Sequence, residues 1–412
     1  MIYEVSTNRK NIQATINLPS SKSISNRALI INALSYNPYP LLNLSDSDDT
    51  KVLFEALNSN YNKFDIGHAG TAMRFLTAYL AKIVGEWEIT GSERMQQRPI
   101  GILVDALKSL GAQIEYTRNE GFPPLKILGS RLIGKTIELD GSVSSQYVSA
   151  LLLIAPTIEN GLTLKLKSEI TSRSYIELTL KLMAKFGIQY CWEGNEITVP
   201  EQNYFARDFT VEADWSGASY WYEILSLCES GEILLQNLEL DSLQGDANIA
   251  GWFTQFGVIS TQKTNGVLLA KNENITPEKL VHDFIENPDL AQTMACLCVA
   301  KKIPFHFSGL KTLKIKETNR ILALQNELAK FGAELTEPTE GELAWNGLIS
   351  ENLRHEVPLI ETYHDHRMAL AFAPLSLAGT LIQVSVPMVV TKSYPGFWDD
   401  LKKAGFTVTE ID

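Results

Sequence analysis

The stretch LVDALKSLGAQIEY, residues 103–116, indicates the fold class, because a helix, a glycine and a strand follow one another within it. Leu103, Leu107 and Leu110 recur at helical spacing, Gly111 follows them, and a β-alternating segment comes next. A glycine in this position is the usual left-handed terminator of a helix. The same order recurs in four further stretches, which are LTLKLMAKFGIQYC (178–191), IAGWFTQFGVIST (249–261), ALQNELAKFGAELTE (323–337) and FWDDLKKAGFTVTE (397–410).

The spacing of the glycines in these stretches predicts a repeated structural unit. Gly111, Gly187, Gly257, Gly332 and Gly405 lie roughly 70 to 76 residues apart. The stretch DDTKVLFEALNSN (48–60) is a weaker sixth copy, in which serine and asparagine replace the glycine. Strand-like segments such as KTIELDG and GEILLQNLEL make the class α/β. The alternative is chance similarity among common helix-to-strand junctions.

The length of 412 residues is too great for one ordinary core, so two domains are expected. Six repeated units then divide into three for each domain. The boundary is expected about midway, near Asp214 to Gly217.

The composition is that of an ordinary globular protein with an acidic balance. Hydrophobic residues make up 45% of the chain and charged residues 20%, and the formal net charge is -12. A nucleic-acid surface needs a basic footprint, so this balance argues against one. The N-terminal MIYEVSTNRKN lacks the apolar core of a signal peptide, and the longest apolar run, ALLLIA (150–155), is far shorter than a membrane span. We expect a cytoplasmic protein without a membrane partner.

Neither the cysteines nor the histidines have the spacing of a metal site. The cysteines form no CxxC pair, and Cys296 and Cys298 lie in an apolar stretch where cysteine usually serves as a small buried hydrophobe. His364 and His366 of HDHR, read as a strand, would point to opposite faces, and no third ligand stands at recognisable spacing. We therefore expect no metal and no cofactor, and Arg367 is the more informative residue of this motif.

The stretch GSRLIGKT, residues 129–136, matches the phosphate loop G-x-x-x-x-G-K-[ST] letter for letter. A phosphate loop must lead into a helix whose N-terminus receives the phosphates. Here IELDGSVSS follows, with strand alternation and a glycine turn. The sequence context therefore excludes a nucleotide hydrolase or kinase.

Several basic clusters are flanked by glycine, serine or threonine rather than by acidic residues. The first lies in LPSSKSISNRALI (18–30), where Lys22 and Arg27 stand among hydroxyls before an apolar run. The others are GHAGTAMR (67–74), RMQQRPI (94–100), KIKETNR (314–320), DHRM (365–368) and TKSYPGF (391–397). Each by itself is expected to be an exposed charge or a surface ion pair. Together they predict an anion site between two domains, because three clusters come from each half of the chain.

The motifs of these basic clusters, together with two further motifs, occur in the order found in one enzyme family. SKSISNR, GHAGTAMR, RPI, DGSVSSQY, SYI, KETNR, HDHRMA and TKSYP occur in this order along nearly the whole chain. The chain thus resembles the 5-enolpyruvylshikimate-3-phosphate synthase family of enolpyruvyl transferases. The resemblance implies a two-domain inside-out α/β barrel, in which each domain has three βαβαββ units. It implies a first domain over residues 20–215, and a second over 1–19 plus 216–412 that carries the catalytic carboxylates, with the active site in the cleft between them.

The resemblance also implies an activity and its site residues. The implied activity is transfer of the enolpyruvyl group of phosphoenolpyruvate to the 5-hydroxyl of shikimate 3-phosphate, by addition and elimination through a tetrahedral intermediate. The resemblance also implies a monomer that is a target of glyphosate. The residues implied to bind shikimate 3-phosphate are Lys22, Ser23, Arg27, Ser144, Ser145, Gln146, Ser172, Asp289, Thr312 and Lys316. Those implied to bind phosphoenolpyruvate are Lys22, Gly70, Thr71, Arg98, Gln146, Arg320, Arg367 and Lys392. The catalytic residues implied are Asp289, Glu317 and Lys22.

The residue types suit this chemistry. The two substrates together carry roughly six negative charges, so several fixed cations must meet them. Addition and elimination need one group that takes the hydroxyl proton and another that protonates the methylene carbon. We expect Asp289 to act as base toward the hydroxyl and Glu317, assisted by Lys22, to handle the methylene proton. The alternative for Asp289 is a helix N-cap after Pro288.

Four positions depart from the family pattern. Ser20 stands where many members have glycine, His68 replaces an asparagine, Asn319 replaces the aspartate of KETDR, and Thr312 stands where an asparagine often contacts shikimate 3-phosphate. None of these changes removes a catalytic carboxylate or a phosphate-binding cation. Gly70 is retained, which implies a glyphosate-sensitive site.

Two other functions compete with this one. The sister enzyme that transfers enolpyruvyl to UDP-N-acetylglucosamine shares the fold, but it generally uses a loop cysteine that SERMQQRPIG (92–101) lacks. A catalytically silent binding protein of the same fold is the second alternative.

Overall fold

The computed structural model describes residues 1–36, 38–141, 144–271, 273–350, 357–379 and 381–411. The chain divides into two compact units. The continuous unit is Ser20–Val211, and the discontinuous unit is Met1–Pro19 together with Glu212–Asp412.

The discontinuous unit begins with two strands from the start of the chain and is completed by the second half. Its helices are α7 (Trp215–Leu227), α8 (Ile249–Trp252), α9 (Ala291–Ala300), α10 (Arg320–Ala329), α11 (His366–Phe372) and α12 (Phe397–Lys403). Its strands are β1 (Ile2–Ser6), β2 (Asn11–Asn17), β13 (Ser230–Gln236), β14 (Val258–Lys263), β15 (Gly266–Lys271), β16 (Leu280–Asp283), β17 (Phe305–Ser308), β18 (Leu343–Trp345), β19 (Leu359–Ile360), β20 (Ile382–Ser385) and β21 (Thr407–Ile411).

The continuous unit alternates helices and strands along one uninterrupted segment. Its helices are α1 (Lys22–Leu34), α2 (Asp48–Asn58), α3 (Gly70–Lys82), α4 (Gly101–Ser109), α5 (Ser145–Ile154) and α6 (Arg173–Lys185). Its strands are β3 (Leu41–Leu42), β4 (Lys63–Asp65), β5 (Glu86–Thr90), β6 (Gln113–Tyr116), β7 (Leu125–Leu128), β8 (Thr136–Asp140), β9 (Leu162–Lys167), β10 (Cys191–Glu193), β11 (Glu196–Val199) and β12 (Phe209–Thr210).

The four-stranded sheets share one pairing pattern. Their strand orders are β4-β5-β7-β6, β8-β9-β11-β10, β2-β13-β15-β14 and β19-β20-β1-β21. In each of them the first pair is parallel and the next two pairs are antiparallel. In the sheet β16-β17-β18 the first pair is likewise parallel and the second pair antiparallel. Strand β3 pairs with β12 in parallel. A parallel pair needs a crossover, which α3 provides between β4 and β5 and α5 provides between β8 and β9.

Sheet pairing explains why residues 1–19 belong to the discontinuous unit. Strand β1 lies between β20 and β21, with Val5 opposite Ile382 on one side and Val408 on the other. Strand β2 pairs with β13 in parallel, so that Ile16 lies opposite Leu235. Val5, Ile16 and Leu235 are buried in the apolar core of this unit. Alternating apolar side chains in these strands therefore bind the start of the chain to its second half.

The five helix-ending glycines are confirmed as left-handed. Their φ angles are 106° at Gly111, 87° at Gly187, 78° at Gly257, 79° at Gly332 and 96° at Gly405. A side chain is strained in this region, so glycine ends each helix at low cost. The strand expected after Gly332 is wrong, because residues 333–336 form only two isolated bridges, Ala333 with Ile349 and Thr336 with Ala344.

Two further sequence predictions are confirmed. The segment 48–60 contains helix α2, as the weaker sixth copy predicts. The phosphate-loop match at 129–136 follows β7 and ends at Thr136, the first residue of β8, so it leads into a strand and not a helix. Within the described residues, none of the helices has the length and apolar character needed to cross a membrane.

Candidate functional site

Helix α1 presents the first basic cluster at its N-terminus. Ser21 caps this helix, because its hydroxyl accepts a hydrogen bond from the Ile24 amide at 3.4 Å. Lys22 is the first residue of the helix, and its Nζ lies 3.2 Å from Asp49 Oδ2 on α2. The stretch LPSSKSISNRALI therefore contains a helix start directly at its lysine. The acidic partner of Lys22 lies on another helix. The sequence directly around Lys22 contains no acidic residue.

Arg27 is buried inside the continuous unit, where it joins three helices. Its Nε donates to Thr179 Oγ1 at 2.7 Å, its Nη1 to the Ser23 carbonyl at 2.9 Å, and its Nη2 to Ser149 Oγ at 3.1 Å. Its guanidinium lies 5.4 Å from the centre of the Phe75 ring. Burial lowers the pKa of Arg27 to about 10. The expectation of an exposed charge is wrong here, because Arg27 is only 3% exposed.

The N-terminus of α3 brings four candidate phosphoenolpyruvate residues together. Arg98 packs so closely on Gly70 that a Cβ at position 70 would lie 2.8 Å from Arg98 Nη1. Gln146 Nε2 donates to Thr71 Oγ1 at 3.4 Å. Arg74 Nη2 donates to the Pro99 carbonyl at 2.9 Å. Arg74 therefore supports the segment that carries Arg98.

Serines precede two further helices of the continuous unit. Ser144 caps α5, because its hydroxyl accepts a hydrogen bond from the Gln146 amide at 3.3 Å, and Ser145 is the first residue of that helix. Ser172 is buried, has a left-handed φ of 54° and precedes α6. Helix N-termini carry partial positive charge and attract phosphate. Ser23, on α1, lies within the first turn of its own helix.

Arg320 is the centre of an ion-pair cluster in the discontinuous unit. Its Nε donates to Asp365 Oδ2 at 2.7 Å, and its Nη2 donates to Asp365 Oδ1 at 3.2 Å. Its Nη1 also donates to Asp289 Oδ1 at 2.9 Å, and its Nη2 to Glu317 Oε2 at 3.0 Å. Arg320 is 1% exposed, so these charges interact in a largely water-free environment. Burial opposes the charged form of Arg320, yet Asp365, Glu317 and Asp289 together raise its pKa.

Asp289 is held by several cations at once. Arg367 Nη2 lies 2.9 Å from its Oδ2, and Lys316 Nζ lies 3.9 Å from its Oδ1. Burial favours the neutral acid, but Arg367, Lys316 and Arg320 outweigh it and hold the pKa of Asp289 well below its usual value. The N-cap alternative is wrong, since α9 begins at Ala291 without a side-chain cap.

Glu317 and Lys392 form the other end of the cluster. Lys392 Nζ donates to Glu317 Oε1 at 2.9 Å, and Lys392 is 8% exposed. The structure thus brings together Asp289, Lys316, Glu317, Arg320, Arg367 and Lys392. Thr312 lies nearby in the chain, in the 3₁₀ turn Lys311–Ile315.

Asp365 is a member of the cluster whose role the sequence did not reveal. It is fully buried, binds Arg320 through both oxygens, and caps α11 by accepting from the Arg367 amide at 3.0 Å. An aspartate directly before a helix is a cap signal, so the start of α11 could have indicated it. Tyr220 was also missed, and its hydroxyl accepts from Arg367 Nη1 at 3.3 Å.

The HDHR motif differs from its expected conformation. His364 lies in a turn with φ of 55°, and His366 is the first residue of α11, so the two do not alternate along a strand. Nδ1 of the buried His366 lies 3.5 Å from Asp365 Oδ1. In the part of the chain that the structure describes, no group of three His, Cys, Asp or Glu side chains is arranged to hold a metal.

Asn319 takes a structural role at the start of α10. Its side chain accepts a hydrogen bond from the Leu322 amide at 3.2 Å, which makes it the N-cap of the helix that begins with Arg320. Aspartate and asparagine cap equally well. The departure from KETDR therefore preserves the local geometry.

Buried arginines, lysines and carboxylates on a mixed α/β fold define a class of protein that binds small, multiply charged anions and can move protons beside them. The structure is similar to that of EPSP synthase from Acinetobacter baumannii, with a TM-score of 0.78, 20% identity and coverage of 99% of this chain and 100% of that one. The sequence is 53% identical over 398 residues to a 3-phosphoshikimate 1-carboxyvinyltransferase of Bacteroides fragilis, covering 96% of each chain. It is 36% identical over 421 residues to one of Aliivibrio fischeri, covering 95% of this chain and 97% of the relative.

The sequence model of the EPSP synthase family, described as 3-phosphoshikimate 1-carboxyvinyltransferase, matches residues 6–59 and 57–401. The chain belongs to this family. The resemblance stated from the sequence motifs is confirmed.

Proposed function

We propose that this protein transfers the enolpyruvyl group of phosphoenolpyruvate to the 5-hydroxyl of shikimate 3-phosphate, releasing phosphate. The observation that carries the proposal is the buried cluster in which Arg320, Arg367 and Lys392 meet Asp289 and Glu317. It combines fixed cations for an anionic ligand with carboxylates for proton transfer. Family membership supplies the substrate pair.

Both units contribute cations suited to the ligand pair. In the continuous unit, Lys22 and the serine-led helices α1, α5 and α6 suit the phosphate of shikimate 3-phosphate. Arg98 beside Gly70, with Arg320, Arg367 and Lys392, suits the phosphate and carboxylate of phosphoenolpyruvate. The proposal requires both sets of cations to hold one pair of substrates.

In the proposed reaction, Asp289 and Glu317 carry out different proton transfers. Asp289 takes the proton of the 5-hydroxyl as that oxygen attacks the enol carbon, and Glu317, assisted by Lys22, protonates the methylene carbon. Loss of a methyl proton and of phosphate from the tetrahedral intermediate then regenerates the enol ether. Preorganised cations stabilise the charge that develops on the departing phosphate.

The proposed architecture is the inside-out barrel of six βαβαββ units, with domains over 20–215 and over 1–19 plus 216–412. Its support is the shared pairing pattern of the sheets and the element orders β4-α3-β5-α4-β6-β7 and β8-α5-β9-α6-β10-β11.

The decisive experiment measures phosphate release with phosphoenolpyruvate and each of two acceptors. We expect turnover with shikimate 3-phosphate and none with UDP-N-acetylglucosamine, and the reverse result would overturn the assignment. Asp289→Ala should lose turnover by orders of magnitude while it still binds shikimate 3-phosphate. A wild-type protein that binds both substrates without releasing phosphate would be the silent binding protein.

Glyphosate resembles phosphoenolpyruvate in its charge pattern, and Gly70 lets the Arg98 guanidinium pack directly against the start of α3. We therefore propose a glyphosate-sensitive enzyme, and an inhibition constant in the millimolar range would refute this. We also propose a cytoplasmic monomer without a cofactor, which size-exclusion chromatography with light scattering and activity after chelation would test.

A further inference from the structure

The two proposed acid-base carboxylates are occupied at every oxygen. Asp289 Oδ1 lies 2.9 Å from Arg320 Nη1, and its Oδ2 lies 2.9 Å from Arg367 Nη2. Glu317 Oε2 lies 3.0 Å from Arg320 Nη2, and its Oε1 lies 2.9 Å from Lys392 Nζ. A carboxylate oxygen that a cation occupies accepts a further proton poorly. In this arrangement neither carboxylate is ready to act as a base.

Arg320 and Arg367 each have a partner besides these two carboxylates. Asp365 is fully buried and binds Arg320 through both oxygens, so Arg320 keeps a fixed partner. Arg367 and Lys392 have side chains that are 9% and 10% exposed, and they reach Asp289 and Glu317 with their terminal groups. A ligand anion that binds Arg367 Nη2 and Lys392 Nζ would replace the two carboxylates as their partner, while Arg367 Nη1 keeps its bond to the Tyr220 hydroxyl.

Resting on the function proposed above, we propose that a bound anion exchanges partners with this cluster. The anion takes Arg367 and Lys392, and thereby frees one oxygen of Asp289 and one of Glu317 to accept protons. The substrate that supplies the charge thus switches on the carboxylates that act on it.

Charge balance favours an exchange over a simple addition. Within the described residues, the four cations Lys316, Arg320, Arg367 and Lys392 face four carboxylates, which are Asp289, Glu317, Asp365 and Asp246, so an anion that was simply added would leave an excess of negative charge. A buried charge that loses its partner is costly, so each cation stays paired when the anion replaces a carboxylate. The freed carboxylate is then stabilised by binding a proton from solvent or from the substrate hydroxyl.

The groups that face Asp289 determine how its proton affinity responds. They are Arg320, Arg367, Lys316, Glu317, Asp246 and Tyr220. Withdrawal of Arg367 removes the cation that lowers the pKa of Asp289 most, while burial and Glu317, which raise this pKa, remain. The exchange therefore couples anion binding to proton uptake.

The test is isothermal titration calorimetry of the full-length protein with sulfate at pH 5, in two buffers that differ in ionisation enthalpy. Sulfate stays a dianion at this pH, so any protons taken up belong to the protein. We expect net proton uptake by the wild type. Asp289→Asn should bind sulfate about fivefold more tightly or better, because an internal competitor is removed, and should take up fewer protons. Glu317→Gln should behave in the same way.

The matched control is Asp399→Asn, which removes the same charge from a carboxylate whose side chain is 77% exposed. It should leave sulfate affinity and proton uptake unchanged, so a uniform charge effect is excluded. Sulfate that binds elsewhere would not respond to Asp289→Asn. Equal or weaker sulfate binding by both cluster variants, or no detectable binding by any form, would overturn the exchange. Phosphate release from the two substrates is measured separately, so turnover without exchange and exchange without turnover are distinguishable.

Discussion

Glycine at position 70 shows how a missing side chain shapes a binding site. Gly70 begins α3, and the Arg98 guanidinium occupies the space that a Cβ would need. Arg98 is 8% exposed and is aligned by this contact. The absence of a side chain at Gly70 therefore lets the Arg98 guanidinium lie directly against the N-terminus of α3.

Gly70→Ala should weaken phosphoenolpyruvate binding without unfolding the protein. The added methyl would lie 2.8 Å from Arg98 Nη1, so the guanidinium must move. We expect KM for phosphoenolpyruvate to rise about tenfold, with a smaller change in kcat. Steady-state kinetics measures this. Gly251→Ala is the control, because nothing lies within 4 Å of a Cβ there, and an unchanged KM in Gly70→Ala would contradict the steric argument.

A second residue-scale feature is a carboxylic acid in the core of the discontinuous unit. Glu223 on α7 is fully buried, and its two carboxylate oxygens have no hydrogen-bond partner among the described residues. Burial raises its pKa well above the usual value, so folding favours the neutral form of this carboxyl group.

Glu223→Gln should change the pH dependence of stability. Above an unfolded pKa of about 4.3, the folded state binds more protons than the unfolded state, so stability falls as pH rises toward the folded pKa. The Glu223→Gln variant does not have this pH-dependent loss of stability. Its Tm should therefore equal that of the wild type near pH 4 and exceed it at pH 8. Differential scanning calorimetry at both pH values checks this. Glu340→Gln, whose side chain is 72% exposed, should show no such divergence.

At the scale of secondary structure, caps orient the functional helices. Ser21, Ser144, Asp214, Asn319 and Asp365 accept hydrogen bonds at the starts of α1, α5, α7, α10 and α11. Lys22, Arg320 and Arg367 follow their caps directly or within two residues. The cap thus sets the direction of the helix and the position of the cation together.

Asn319→Ala should lower stability, whereas Asn319→Asp should not. Loss of the bond to the Leu322 amide costs about 1 kcal/mol, which lowers Tm by roughly 1–2 °C in a protein of this size. Asp restores the cap and serves as the matched control. Thermal denaturation of both variants distinguishes them, and equal Tm values would show that this cap contributes nothing.

At the scale of the whole molecule, each sheet is complete within one unit. The sheets of the continuous unit use only strands β3 to β12, and those of the discontinuous unit use β1, β2 and β13 to β21. Backbone hydrogen bonds of one unit therefore do not depend on strands of the other.

The fragment Ser20–Val211 should fold by itself. Its sheets are satisfied internally, and its buried apolar side chains come from its own helices and strands. We expect a helical far-ultraviolet circular dichroism spectrum and a cooperative thermal transition. A fragment that stays unfolded under conditions where the full chain is folded would refute this. The discontinuous unit offers a companion test, because the Asp214 amide bonds the Pro19 carbonyl at 2.9 Å, so a short linker can join its two segments.

The sequence alone determined where these helices end and which charged residues are available to the candidate site. A helix that ends at Gly111 or Gly405 is encoded locally, because only glycine adopts a left-handed φ without strain. The basic motifs and their family order also predicted which residues form the clusters. The prediction of a strand after Gly332 was wrong, because strand formation depends on a partner that lies elsewhere in the chain.

Tertiary structure alone decided which charges pair and how deeply they are buried. Lys22 meets Asp49, Arg320 meets Asp365, and Lys392 meets Glu317, across separations that no local period encodes. The same basic motifs read as exposed surface charges when taken singly, and Arg27 and Arg320 are buried. The physical reason is that ion pairing depends on distance and dielectric environment, and packing of distant helices sets both.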